Sequence, residues 1–150
     1  MTNYKNKKYS EDLQDETKAI RSGTLRSNFG ETSEAIYMNS GFCYNDAQTA
    51  EKRFNGDEPG FVYSRYVNPT LQMLEDRLVA VESGAEAACV TASGMAAVFA
   101  SIMCQIKAGD HFIASRVLFG SCFHIATKIL PNYGVEVTLV DGTNEEEWKN

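Results

Sequence analysis

Three apolar runs separated by two helical stretches most constrain the fold of this sequence. The runs cover residues 87–91, 111–115 and 135–140, and each has the length of a buried strand. The helical stretches between them cover residues 95–107 and 120–130 and predict crossover connections, which join parallel strands and are right-handed. Because the runs are apolar throughout, we expect a sheet with helices on both faces. The pattern therefore predicts an α/β fold.

The first sixty residues lack a sustained apolar period and predict little core of their own. Two short helices are expected there, at residues 11–22 and 46–54, and Asp46 is the predicted N-cap of the second. A segment with so few core positions does not make a domain alone. We therefore expect residues 1–60 to form an N-terminal arm that packs on another subunit.

The remainder, residues 61–150, is expected to be the first part of a larger domain. A longer helix is predicted to begin at Pro69, where the missing N–H group of proline costs no hydrogen bond. The α/β pattern stops after its third strand, and residues 145–150 predict only the first turns of another helix. We therefore expect the sequence to be the N-terminal part of a longer protein.

Composition argues against several classes of partner. The chain has 14 Lys and Arg against 20 Asp and Glu, a net charge of −6, whereas nucleic-acid-binding proteins usually carry a clustered basic face. The four cysteines have no CxxC spacing, so no metal site is expected. Three of them lie in apolar runs and are expected to be buried thiols. The longest apolar run, residues 96–104, is too short for a membrane span, and we expect a cytoplasmic protein.

The loop after the first predicted strand carries a candidate anion site. Ser93 can cap the following helix, and Gly94 lets a ligand approach the backbone closely. The free N–H groups at a helix start, Met95 included, attract anions, and phosphate is a natural occupant. The alternative is an ordinary capped turn, which is the favoured interpretation of an isolated Ser-Gly pair.

Two further features carry groups suited to a phosphorylated, planar ligand. Phe119, in the loop after the second predicted strand, is able to stack on a flat ring or to be a core residue. Arg65 is a strong candidate for binding phosphate because its planar fork donates two parallel hydrogen bonds, and Tyr63 adds a hydroxyl donor. The alternative for Tyr63 and Arg65 is an ordinary polar loop edge.

Three motifs in order give a resemblance to a known family. The motifs are GFVYSRYVNPT, TASGMAA and SRVLFGS, which begin at Gly60, Thr91 and Ser115. Together they resemble the Cys/Met-metabolism family of pyridoxal-phosphate (PLP) enzymes, which have the aspartate aminotransferase-like fold type I. Residues 20–54 look closest to the O-succinylhomoserine sulfhydrylase branch. The resemblance covers residues 17–150 and matches only the N-terminal portion of a family member.

The resemblance implies a cofactor and a role for each candidate residue. The cofactor is pyridoxal 5′-phosphate, and the backbone N–H groups of Gly94 and Met95 look like donors to its phosphate. Tyr63 and Arg65 look like the pair that reaches the same phosphate from a neighbouring subunit. Phe119 occupies the position where the family stacks an aromatic ring on the pyridine. Many members have Tyr there, and Phe has no phenol for proton transfer.

The family also implies a reaction and an assembly. The expected reaction is a γ-replacement that makes homocysteine from O-succinylhomoserine and sulfide, a transsulfuration step of methionine biosynthesis. The alternatives are a cystathionine γ-synthase or γ-lyase of the same family, or an inactive remnant that only associates. The expected partners are small molecules (a homoserine ester and sulfide or a thiol) and copies of the chain in a homotetramer with shared active sites. A Rossmann-type module is disfavoured because the first loop lacks GxGxxG.

No catalytic residue is assigned within the sequence. Family members bind the cofactor aldehyde through a lysine in a later Ser/Thr-rich motif. The lysines here are expected in the tail, on helix surfaces or at helix ends, and none has the apolar or cationic setting that activates a lysine: Lys5, Lys7, Lys8, Lys18, Lys52, Lys107, Lys128 and Lys149. We therefore expect the 150-residue chain alone to be inactive.

Overall fold

A computed structural model describes residues 13–149, and the chain divides into two compact units between Val90 and Thr91. Each unit is described by itself. The prediction that residues 1–60 form an arm packed on another subunit stays a prediction, because the structure contains a single chain. Residues 1–12 lie outside the described part. None of the described helices is long and apolar enough to span a bilayer.

The first unit contains three helices: α1 (Asp15–Arg21), α2 (Ala47–Asn55) and α3 (Pro69–Val81). The predicted cap of α2 is confirmed, because the Asp46 carboxylate accepts a hydrogen bond from the Thr49 N–H at 2.6 Å. Helix α3 begins at Pro69 as predicted, and the Asn68 side chain accepts from the Thr70 N–H at 2.9 Å. Both helices therefore begin where short-range capping chemistry places them.

The turn after α1 lies directly against α3. The Arg77 side chain donates from Nε to the Ser22 carbonyl at 3.0 Å and forms an ion pair with Glu34. Gly23 has a φ of 73°, and a Cβ there would lie 2.6 Å from the Met73 carbonyl oxygen. The close approach of the two backbones therefore requires glycine at this position.

The second unit is built around two parallel strands joined by a helical crossover. Strand β1 pairs with β2 from His111 opposite Glu136 to Ser115 opposite Val140. The buried core cluster consists of Ile125 and Leu130 in the crossover and Val135, which directly precedes β2. The elements in chain order are α4 (Gly94–Met103), β1 (His111–Ser115), α5 (Gly120–His124), a π-helical turn (Ile125–Ile129), α6 (Leu130–Asn132), β2 (Glu136–Val140) and α7 (Glu145–Lys149).

The crossover contains a π-helical turn where the sequence predicts one regular helix over residues 120–130. Proline at 131 has no N–H group, and its ring would clash with the carbonyl of Thr127 four residues earlier in an α-helix. The Leu130 N–H instead donates to the Ile125 carbonyl, which widens the turn. A local steric conflict therefore explains the π-helical turn.

Two expectations about the apolar runs are wrong. Residues 87–91 form no strand in the described part of the chain, because an apolar run can form a ladder only with a neighbouring strand. The Val90 N–H donates instead to the Glu75 carboxylate at 2.9 Å. The cysteines expected to be buried are exposed or half-buried: Cys89, Cys104 and Cys122, with Cys43 also exposed. An apolar context buries a thiol only where a further layer covers it.

Candidate functional site

The start of α4 presents backbone donors without partners. Ser93 caps the helix, since its Oγ accepts from the Ala96 N–H at 3.2 Å, and its carbonyl accepts from the Ala97 N–H at 3.1 Å. The N–H groups of Gly94 and Met95, which come first in the helix, donate to no group among residues 13–149. Two donors at the positive end of the helix therefore point to an anion.

The glycine at the first position of α4 has no packing role in the chain. A Cβ on Gly94 would meet nothing within 4 Å, and its φ lies outside the left-handed region. Neither conformation nor a close neighbour therefore requires glycine here. The open space beside the backbone is what a closely approaching ligand needs.

Phe119 lies at the N-cap of α5 and is 75% exposed, so the alternative of a core phenylalanine is wrong. Gly120, the next residue, lines a groove together with Met95 at the start of α4. The segments that follow residues 87–91 and β1 therefore meet at one groove. The rest of the groove is mostly apolar: Ala96, Phe99, Ser121, His124, Ile125 and Ile129.

Arg65 lies in a turn of the first unit between two tyrosine rings. Its Cζ is 4.8 Å from the ring centroid of Tyr63 and 5.4 Å from that of Tyr66. Within the described residues, the Arg65 guanidinium has no hydrogen bond and no carboxylate partner. The other arginines there each bond to a carbonyl or a carboxylate: Arg21, Arg26, Arg53, Arg77 and Arg116.

An exposed guanidinium without a counter-ion is suited to a phosphate. The tyrosine rings attract the cation without using its N–H donors. The structure thus brings Tyr63 and Arg65 together in one unit, and Ser93, Gly94 and Met95 together with the Phe119 loop in the other. These groups fit a phosphorylated ring: donors for the phosphate and an exposed aromatic side chain for the ring.

The structure also identifies a residue that sequence reasoning did not select. Asn68 is only 8% exposed, and its amide bonds to two other segments of the first unit as well as to α3. The pair Asn68-Pro69 signals a helix start, but nothing in the sequence shows what the amide donors contact. No group of three or more potential metal ligands occurs among residues 13–149.

Comparison with known proteins places these features in a family. A sequence model described as "Cys/Met metabolism PLP-dependent enzyme" matches residues 16–150. The chain is 50% identical over 133 residues to an O-succinylhomoserine sulfhydrylase of Mycobacterium tuberculosis (strain ATCC 25618 / H37Rv), covering 89% of this chain and 32% of that protein. It is 40% identical over 134 residues to an L-methionine gamma-lyase of Fusobacterium nucleatum subsp. polymorphum, covering 89% of this chain and 34% of that protein.

Solved structures give the same result. A putative O-acetylhomoserine (thiol)-lyase from Campylobacter jejuni, determined with N′-pyridoxyl-lysine-5′-monophosphate, matches 92% of this chain and 34% of its own, with a TM-score of 0.86 and 30% identity. The chain spans about a third of the length of these relatives. Its fold is the corresponding part of the PLP-dependent fold type I, with a parallel sheet and helical crossover. The chain belongs to the Cys/Met-metabolism family of PLP-dependent enzymes.

Proposed function

We propose that this chain is the N-terminal part of a cytoplasmic PLP-dependent enzyme that makes homocysteine and succinate from O-succinylhomoserine and sulfide. The observation that carries the proposal is a set of donors without partners among residues 13–149: the Arg65 guanidinium and the N–H groups at the start of α4. Two O-succinylhomoserine sulfhydrylases, at 50% and 43% identity, support this reaction. Methionine gamma-lyases at 40% identity make elimination from methionine the alternative.

Two groups of donors are proposed to bind the phosphate of PLP. The N–H groups of Gly94 and Met95, beside the Ser93 cap, would donate to the phosphate, and the Arg65 fork would supply two parallel, charge-assisted hydrogen bonds. When bound, PLP supplies the electron sink that permits proton removal next to the amino group of the substrate and departure of the succinyl group.

Phe119 is proposed to hold the pyridine ring by stacking. Its ring is 75% exposed and is therefore not buried in the core of the described residues. A phenylalanine contributes apolar area and a π face but carries no titratable proton. It would therefore orient the ring and exclude water from one face, and another group would move the protons.

We propose that the lysine that binds the cofactor aldehyde is not one of those in this sequence. Lys18 forms an ion pair with Asp15 at 3.1 Å, and Lys149 forms one with Glu146 at 3.0 Å. Both lysines therefore lie beside a carboxylate and not in the apolar or cationic setting that activates a lysine as a nucleophile. Alone, the 150 residues would thus bind ligand groups but lack turnover.

The same proposal includes a homo-oligomer whose subunits share active sites. Large apolar side chains of the predicted arm are left uncovered by residues 13–149, as Phe29, Met38 and Ile36 are 96%, 95% and 76% exposed. A second copy covering them would carry Tyr63 and Arg65 to a neighbouring phosphate. Mixing an Arg65→Ala subunit with one lacking the catalytic lysine should then restore activity through hybrids with one intact site. Absence of recovery despite proven subunit exchange would contradict shared sites.

The reaction is tested with the protein expressed from its complete reading frame and supplied with PLP. Initial rates are compared for O-succinylhomoserine with sulfide, O-succinylhomoserine with cysteine, and methionine alone. We expect homocysteine and succinate to form with the highest kcat/KM. Formation of 2-oxobutanoate from methionine as the dominant activity would establish a γ-lyase, cystathionine as the main product would establish a γ-synthase, and absence of all three would support an inactive remnant.

A further inference from the structure

We propose that Asn68 is a positioning residue that holds the Tyr63–Arg65 turn in the shape that binds the cofactor phosphate. This inference rests on the proposed function of Arg65. Asn68 touches neither the cofactor nor the substrate in this account. It acts by fixing the backbone that carries Arg65.

The Asn68 side chain uses both its donors and its acceptor. Its Nδ2 donates to the Ser64 Oγ at 2.9 Å and to the Tyr37 carbonyl at 3.0 Å, while its Oδ1 accepts from the Thr70 N–H at 2.9 Å. The residue is 8% exposed. A buried amide whose two donors and whose acceptor oxygen are all engaged is held in one orientation.

These hydrogen bonds join three separate segments of the first unit. One is the start of α3, one is residues 63–66, and one is residues 37–41, which pair with the turn through the bridge of Gly41 with Tyr63. The Ser64 N–H donates to the Ser40 carbonyl at 2.9 Å, and the Ser64 hydroxyl donates to the Asn39 carbonyl. The Asn68 amide is the group that links all three segments.

Capping of α3 accounts for only one of these contacts. A serine or aspartate would also accept from the Thr70 N–H, as Asp46 accepts from the Thr49 N–H at the start of α2. Neither replaces the amide donors to Ser64 and Tyr37. The amide donors of Asn68 therefore hold the turn that carries Arg65. A guanidinium on a backbone that is already held in place loses less conformational entropy when it binds a phosphate.

The test separates capping from positioning by substitution. Asn68→Ser keeps a short cap acceptor without introducing charge and loses both amide donors, the one to Ser64 and the one to Tyr37. Asn68→Asp keeps the cap and the side-chain shape but sets an oxygen against the Tyr37 carbonyl. Asp46→Ala is the matched control, because it removes a helix cap from the same unit without touching the turn.

The readout is the ratio of affinities of the apoenzyme for pyridoxal 5′-phosphate and for pyridoxal, which lacks the phosphate. The apoenzyme is prepared from the protein expressed from its complete reading frame. We expect Asn68→Ser to lower PLP affinity about five- to tenfold, the effect of one or two lost neutral hydrogen bonds, and to leave pyridoxal affinity within about twofold. Asp46→Ala should leave the ratio unchanged. If Asn68→Ser is insoluble, Asn68→Asp is measured in its place.

Two further results decide the inference. In a background with both Tyr63→Phe and Arg65→Ala, Asn68→Ser should cause no additional loss of PLP affinity, because Asn68 acts through these two side chains. Equal losses for PLP and pyridoxal, or an unchanged ratio while Arg65→Ala lowers it, would overturn the role of Asn68 and leave the proposed function intact. An unchanged ratio in Arg65→Ala itself would overturn the phosphate role of Arg65 and the inference with it.

Discussion

Replacing Arg65 with alanine should weaken cofactor binding through loss of phosphate contacts alone. The guanidinium is exposed and lacks any hydrogen bond or ion pair within residues 13–149, so its removal breaks no described polar contact of the fold. The two cation–π contacts, at 4.8 and 5.4 Å, are worth about 0.5–1 kcal/mol each at an exposed site. The free energy of unfolding should therefore fall by no more than about 2 kcal/mol.

The expected loss of affinity is measured on the folded apoenzyme and is separate from this effect on stability. A charge-assisted hydrogen bond contributes about 1.5–3 kcal/mol, which corresponds to roughly ten- to a hundredfold in the Kd for PLP. Arg65→Lys should recover part of the loss, because an ammonium keeps the charge but not the planar fork. The assay is titration of the apoenzyme with PLP, followed by its absorbance.

Arg53→Ala is the matched control for this experiment. Arg53 also lies over a tyrosine ring, with its Cζ 5.8 Å from the ring centroid of Tyr44, but it pairs with Glu58 at 3.3 Å. We expect its removal to leave the Kd for PLP unchanged. A Kd for Arg65→Ala equal to that of the parent would refute the reasoning, and so would equal losses in the Arg65 and Arg53 variants.

Three further predictions follow from the geometry. Gly94→Ala should leave the free energy of unfolding unchanged or raise it, since its Cβ meets nothing within 4 Å, yet PLP titration should show weaker binding because the methyl group fills the ligand space. Phe119→Tyr should keep PLP affinity within a few-fold, whereas Phe119→Ala should cost about 0.5–1.5 kcal/mol beyond lost burial; equal affinities would exclude stacking. The Arg77 hydrogen bond lowers the pKa of Glu34 from 4.5, so the pair stabilises the fold at neutral pH and this contribution is lost as the pH falls below about 4.5. Denaturant unfolding should show a steeper acid loss in the parent than in Glu34→Gln.

The features predicted correctly from sequence are those that short-range chemistry decides. Asp46 and Asn68-Pro69 mark helix starts because the capping atom and its donor lie within three residues of each other. The parallel pair of β1 and β2 follows from two apolar runs with a helix between them, since that arrangement permits only a crossover connection.

The features that sequence reasoning missed depend on contacts with distant groups. Residues 87–91 have the composition of a strand, but pairing requires a partner strand that the described residues do not supply. The donor contacts of Asn68 reach Tyr37, thirty-one positions away, and no local pattern encodes them. The widened turn before Pro131 was in principle predictable, because the steric conflict lies within four residues.

The candidate site also has features that neighbouring residues decide and features that depend on distant groups. The motifs identified Ser93, Gly94 and Met95 because a helix start carries its donors in consecutive residues. They also predict Arg65 as a phosphate ligand by residue type. The lack of a counter-ion for Arg65 among residues 13–149 is a property of its surroundings and is visible only in the structure.

The most direct test of the account is borohydride reduction of the protein expressed from its complete reading frame, followed by peptide mapping. Reduction fixes PLP covalently to the lysine that holds it, and mass spectrometry locates the label. The account predicts one labelled lysine per chain, outside residues 1–150, and a marked loss of label when Arg65→Ala protein is reduced at a limiting PLP concentration. Absence of label at saturating PLP, or a label on a lysine within residues 1–150, would contradict it.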